Sequence, residues 1–273
     1  RKQLETVHAG LSGTPFTVNV LPYCDFFHVG SSRELLTNLT GLSRTAKQYG
    51  FANGHRTALA EGVRVHDAFV FNTVIDSPAT SLGSGVLLEA VHATEAMTLP
   101  GPNVVVGWPG GTKGAVALPS GWGMVGLPIQ GGQWATVLFG LDDDFKTSFA
   151  AGGTFGNEPM AAALSRLGLE PTSVLGKDFA ERTLWDAKLW TVGKLEQAWS
   201  RARWMADPAA SPPRGFASAK RFSLAELIPQ VDHDRLISHR REIQRLGELH
   251  HLGQRLRRDP NLFSDSVVQS LRS

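Results

Sequence analysis

FVFNTVIDSPATSLGSGVLLEAVHATEAMTLPGPNVVVG, residues 69–107, decides the fold. Apolar or small β-formers recur at Phe69, Ile75, Leu82, Leu88, Thr94, Leu99 and Val105, in steps of six, seven, six, six, five and six residues. This is neither the 3.6 period of a helix nor the alternation of a half-buried strand. A step near six is the hexapeptide pattern of a β-helix, in which each short strand forms one side of a triangular coil and one residue per step points inward. Ile75, Leu82, Leu88 and Val105 are the expected interior. Thr73, Ala79 and Val86 stand four residues after an inward position, where a tight corner leaves little room. Three sides take about 18 residues, so the stretch supplies roughly two coils of a left-handed β-helix.

Outward from this run the chain changes character. Residues 1–22 read as a short helix, a turn at Gly10–Pro15 and the strand PFTVNVL. In YCDFFHVGSSRELLTNLTG (23–41) a strand ends at Gly30, and Ser31 or Ser32 can cap a helix whose apolar face is Leu35, Leu36 and Leu39. Gly41 closes that helix, and residues 43–64 are weakly patterned loop. A Gly/Pro-rich passage follows the hexapeptide run. Gly121–Pro128 and Gln133–Gly140 then read as a hairpin ended by Asp142–Asp144. MAAALSRLGL (160–169) is a helix stopped at Gly168, and LEQAWSRARWMA (195–206) is an amphipathic one. ASPPRGFASAK (210–220) is a linker by composition. Ser223 with Glu226 makes a capping box, and residues 231–258 form a longer basic helix stopped near Asp259–Pro260. The fold class is therefore mixed α/β: a short left-handed β-helix with flanking strands and a C-terminal α-helical connector.

Composition narrows the function. Of 273 residues, 42% are hydrophobic and 19% charged, which is ordinary for a folded domain or two. A net charge of +2 gives no electrostatic case for nucleic acid, and no run of 18 apolar residues crosses a membrane. Cys24 is the only cysteine, so no intrachain disulfide forms and a reducing, cytoplasmic compartment is expected. The chain starts without Met, inside a helical pattern, and reads as an excised piece or incomplete gene product.

YCDFFHVGSSRELLTNLTG, the hexapeptide run, WATVLFGLDDDFK (134–146), GGTFGNEPM (152–160), RTLWDAKLW (182–190) and RFSLAEL (221–227) resemble, in this order, the central part of the bifunctional L-fucokinase/GDP-fucose pyrophosphorylase family. The resemblance implies a larger enzyme. An N-terminal nucleotidyltransferase would join fucose 1-phosphate to GTP with Mg²⁺; a β-helix and helical connector would follow, then a GHMP-type kinase acting on L-fucose. On it, residues 1–64 are the end of the nucleotidyltransferase, 65–118 the β-helix, 119–206 a hairpin and helical subdomain, and 207–273 a linker and helices leading toward the kinase. The expected partners are those two missing domains, with sugar phosphate and nucleotide as the whole enzyme's ligands, and neither nucleic acid nor membrane.

No phosphate-cradling loop precedes Gly30, and the nearest string to a kinase loop, SLGSG at 81–85, lies in hexapeptide corners and leads into no helix. No catalytic residue and no metal ligand is therefore assigned to this segment, which alone is expected to be inactive and architectural. His28, Ser31 and Ser32, at a strand end before a helix, are the candidate substrate-binding residues. His92 is the residue that a stand-alone hexapeptide acyltransferase would use as general base; a solvent-facing coil histidine is the plainer reading. A non-catalytic interaction module is the third alternative. Asp142, Asp143 and Asp144 diverge around one turn and make a poor Mg²⁺ site, as does His250–His251 on a helix. Trp185, Trp190, Trp199 and Trp204 are expected to be packing anchors. Seven arginines in His233–Arg258 stand against an apolar stripe of Leu236, Ile243, Leu246, Leu249 and Leu256, as in a helix docked on a partner domain.

Overall fold

The computed structural model describes residues 31–40, 57–207, 209–216 and 218–258. A helix, α1 (Ser32–Leu39), precedes a run of short strands: β1 (Ala58–Leu59), β2 (Arg64–Val65), β3 (Phe69–Ile75), β4 (Ser81–Leu82), β5 (Val86–Ala93), β6 (Met97–Leu99), β7 (Asn103–Val106), β8 (Val116–Ala117) and β9 (Trp122–Ile129). β1, β3, β5, β7 and β9 pair in parallel, as do β2, β4, β6 and β8. The result is a parallel β-solenoid of about four turns, twice the length legible in the hexapeptide run.

The register explains which residues are inside. Val70, Leu88, Val105 and Met124 pair in line across successive turns and are all buried. Ile75, Leu82, Leu88 and Val105 are each no more than 1% exposed, as the six-residue step requires. Two seeds of the pattern are out of phase. Phe69 aligns with Leu87 and Val104, one residue off the inward ladder, and since alternate strand residues face opposite ways it lies on the outer face. That outer face is buried too, with Leu36 of α1 in the same apolar cluster. Thr94 is exposed, and its hydroxyl accepts the amide of Gly111 at 3.0 Å.

The corners fall one residue before two of those expected. Asn72 (φ 45°), Ala90 (φ 53°) and Gly107 (φ 70°) turn the sheet from one side of the coil to the next, and Gly85 (φ 74°) makes the turn ahead of Val86. Thr73 and Val86 follow these corners and point inside, whereas Ala79 is exposed. A left-handed backbone is what folds an otherwise extended strand sharply, and Asn tolerates it better than most side-chain-bearing residues. SLGSG sits in such a corner: a Cβ on Gly83 would lie 2.1 Å from the Pro100 carbonyl oxygen, and the chain runs on into β5.

β9 is both the last turn of the solenoid and the first arm of the hairpin with β10 (Gln133–Gly140). The same sheet continues antiparallel through β13 (Trp190–Gly193) to β14 (Arg221–Phe222), after a small hairpin of β11 (Thr154–Phe155) and β12 (Glu158–Pro159). Helices α2 (Met160–Arg166), α3 (Pro171–Leu175), α4 (Leu195–Arg203) and α5 (Leu224–Leu227) pack about this half, α2 ending before Gly168 at φ 64°. Ser223 and Glu226 form the expected capping box. Trp108 is fully buried; it meets Trp199 of α4 edge-on at 5.5 Å and donates its indole N–H to Glu95 at 2.7 Å.

The RTLWDAKLW block packs on the hairpin through Trp190, which is fully buried and donates to the Leu138 carbonyl at 3.3 Å. Trp199 and Trp204 are also buried, but Trp185, expected to be a packing anchor, is 44% exposed. The long helix α6 (His233–Arg258) docks on this chain's own solenoid and hairpin. Ile243 is buried against Ala58, Val74 and Ala90, while Leu249 is 53% exposed. Among the described residues no helix is long and apolar enough to cross a membrane.

Candidate functional site

Two segments far apart in sequence meet at a cavity of about 740 Å³, lined by Ser31, Ser32 and Leu35 at the start of α1 and by the turn Leu141–Lys146 after β10. The Ser31 hydroxyl accepts the amide of Glu34 at 3.1 Å, so it caps α1 as its position before SRELL requires. His28, the third residue of the candidate set, lies outside the described residues, as do Cys24 and Gly41. Arg33 reaches across to Asp142 with a second hydrogen bond of 2.6 Å alongside its Nε contact. This bidentate pair ties α1 to the hairpin. The Arg33 guanidinium holds the Asp142 carboxyl below its ordinary range.

The acidic run divides into three separate tasks. Asp143 is the half-buried one: its oxygens accept the amides of Gly140 (2.6 Å), Gly156 (2.8 Å) and Asn157 (2.9 Å), pinning the hairpin end to the β11–β12 turn. Burial nevertheless pushes its carboxyl above the ordinary range, against the pull of those amides. Asp144 accepts the Thr147 hydroxyl at 2.7 Å and the Lys146 amide at 2.8 Å, closing its own turn, and these bonds hold its carboxyl low. Asp143 is therefore a structural carboxylate and not a solvated turn charge. A raised carboxyl beside a cavity is the signature of a general acid or base, but this one is spent on the backbone.

Mg²⁺ takes several oxygens converging at about 2.0–2.1 Å. These carboxylates diverge, and no group of three His, Cys, Asp or Glu among the described residues can hold a metal ion. These described residues do not fit the metal. Among the described lining residues Lys146 is basic, and its charge helps to hold Asp144 low.

A smaller groove of about 350 Å³ runs between the first solenoid turns and α6, lined by Ala58–Ala60, Val74–Asp76, His92, Leu246 and His250. His92 faces it with Nε2 2.9 Å from Asp76 Oδ2. His250 and His251 lie edge-on 6.0 Å apart on α6, and His250 meets Gln254 rather than a metal partner.

Sequence reasoning found Ser31, Ser32 and the acidic run but not their meeting. Arg33 and Asp142 are 109 residues apart, and no spacing rule links them.

A family model described as the fucose pyrophosphorylase domain matches residues 1–194. No curated protein and no solved structure matches the chain.

Proposed function

The chain belongs to the fucose pyrophosphorylase family, whose chemistry makes GDP-fucose from fucose 1-phosphate, and from that premise we propose that residues 57–258 serve it as a stiff connector rather than as the reacting site. One observation carries this reading. The eight-stranded sheet runs unbroken from Ala58 to Phe222, and a single cluster of buried side chains extends from Leu36 to Val231. Close-packed interiors transmit strain instead of absorbing it, so such a body fixes whatever is joined to its two ends. The domains so joined are a nucleotidyltransferase acting on GTP and fucose 1-phosphate with Mg²⁺ and a GHMP-type kinase acting on L-fucose, in the cytoplasm. Ser31, Ser32 and Lys146 mark where sugar phosphate or nucleotide approaches the connector.

Pyrophosphate release from GTP and fucose 1-phosphate, in Mg²⁺, tests the proposal on the purified 273-residue chain. No release above the enzyme-free rate is expected. Turnover by this chain would place the reacting groups within it and overturn the connector reading.

A further inference from the structure

Three histidines, His92, His239 and His250, lie where α6 crosses the solenoid, and the docking of that helix is built around the second. His239 Nε2 lies 3.0 Å from the Ala90 carbonyl oxygen at a left-handed corner, so this nitrogen carries the proton and Nδ1 is the bare one. Its ring meets Trp134 edge-on at 6.3 Å, and Arg235, one turn earlier, lies over the same indole at 4.5 Å. Arg240 grips Glu89 through two hydrogen bonds, 3.1 and 2.9 Å, and its carbonyl accepts the Asn72 side-chain amide at 3.4 Å.

The groups around the ring are of both signs. From β5 come Glu89 and His92, the latter joined to Asp76 just beyond β3; from α6 come Arg235 and Arg240; from β10 comes the uncharged Trp134. Glu89 is spent on Arg240. A second proton on His239 would therefore sit half-buried, near one guanidinium in a pair and one histidine, without a carboxylate of its own.

We propose that α6 is an acid-sensitive clamp: protonation of His239 at Nδ1 loosens the helix from the Ala90 corner and opens the groove beside His92, while Arg240–Glu89 keeps it tethered. Burial lowers the His239 ring below its ordinary value, with His92 and Arg240 adding to it and the Ala90 carbonyl and Glu89 opposing. The docked helix thus binds fewer protons than the undocked one. Docking is at full strength above the undocked value of about 6.5 and weakens as pH falls below it. One ring wholly closed to the proton when docked sets the limit, about tenfold at pH 5.5.

Hydrogen exchange of the α6 amides at pH 7.5 and 5.5, corrected for intrinsic rates, reads this directly. The wild-type chain is expected to lose severalfold protection over Ile237–Gly247 at pH 5.5, up to that limit, with β9 and β10 unchanged. His239→Gln keeps a side-chain N–H donor without a titrating ring and is expected to show no such loss. Protection that does not change with pH, or an equal loss in His239→Gln, would overturn the proposal. If the variant does not fold, an NMR titration of wild-type His239 decides: a ring titrating below about 6.5 supports the clamp, and one titrating at or above it overturns the clamp.

Discussion

Trp190→Ala is expected to destabilise the chain by about 3–5 kcal/mol, the usual result of truncating a buried tryptophan. The indole is fully buried at the start of β13, where the strand pairs with β14 through Trp190 and Phe222. Truncation leaves a cavity between hairpin and helical half, and it also orphans the Leu138 carbonyl that the indole N–H satisfies. Trp185 stands five residues earlier in the same block but is 44% exposed, so Trp185→Ala is expected to cost at most about half as much. Urea midpoints of the two variants check this, and equal shifts would contradict the packing described.

Gly107→Ala is expected to cost about 2–5 kcal/mol. Gly107 occupies the solenoid corner held by Ala90 one turn before it, at φ 70°. A left-handed L-residue costs roughly 1–2 kcal/mol. Here the added Cβ would also lie 2.7 Å from the Gly126 carbonyl oxygen of the next turn, and overpacking adds about 1–3 kcal/mol. Gly111 separates the two effects. Its φ is 84°, yet its Cβ would meet nothing within 4 Å, so Gly111→Ala bears the backbone cost alone. Equal destabilisation of the two variants, measured by denaturant titration, would show that the turns are not stacked as closely as this.

The solenoid was legible because its interior obeys one residue in six. Ile75, Leu82, Leu88 and Val105 announce themselves by size at that step. The outer turns were not legible, for two physical reasons. The first turn offers only the two-residue strands Ala58–Leu59 and Arg64–Val65, the latter exposed. In the last turn the register step lengthens to 19 residues, as Met97 pairs with Val116 and Val104 with Gly123. Phe69 misled because its face is covered by other elements, so burial there says nothing of which way a strand residue points.

The helix caps at Ser31 and Ser223 were readable as local chemistry. The docking of α6 was readable only as an apolar stripe. What it docks on, and that Glu89, Ala90 and Trp134 are its partners, depends on contacts across 100 residues or more, such as Arg235 with Gln133 and Arg240 with Glu89. The cavity beside α1 is of the same kind. Its two walls carry no shared pattern, and the Arg33–Asp142 pair joins them.

The connector reading stands on solenoid, hairpin and helical half forming one packed body, and equilibrium unfolding tests that most directly. Tryptophan fluorescence reports chiefly on Trp108, Trp122, Trp134, Trp190, Trp199 and Trp204, all buried in or beside the hairpin and helical half. Hydrogen exchange of β3, β5 and β7 reports on the solenoid. A single urea transition, with the same midpoint by both probes, is the expected result. Two separate transitions, with the solenoid strands exchanging before or after the tryptophans are exposed, would contradict it.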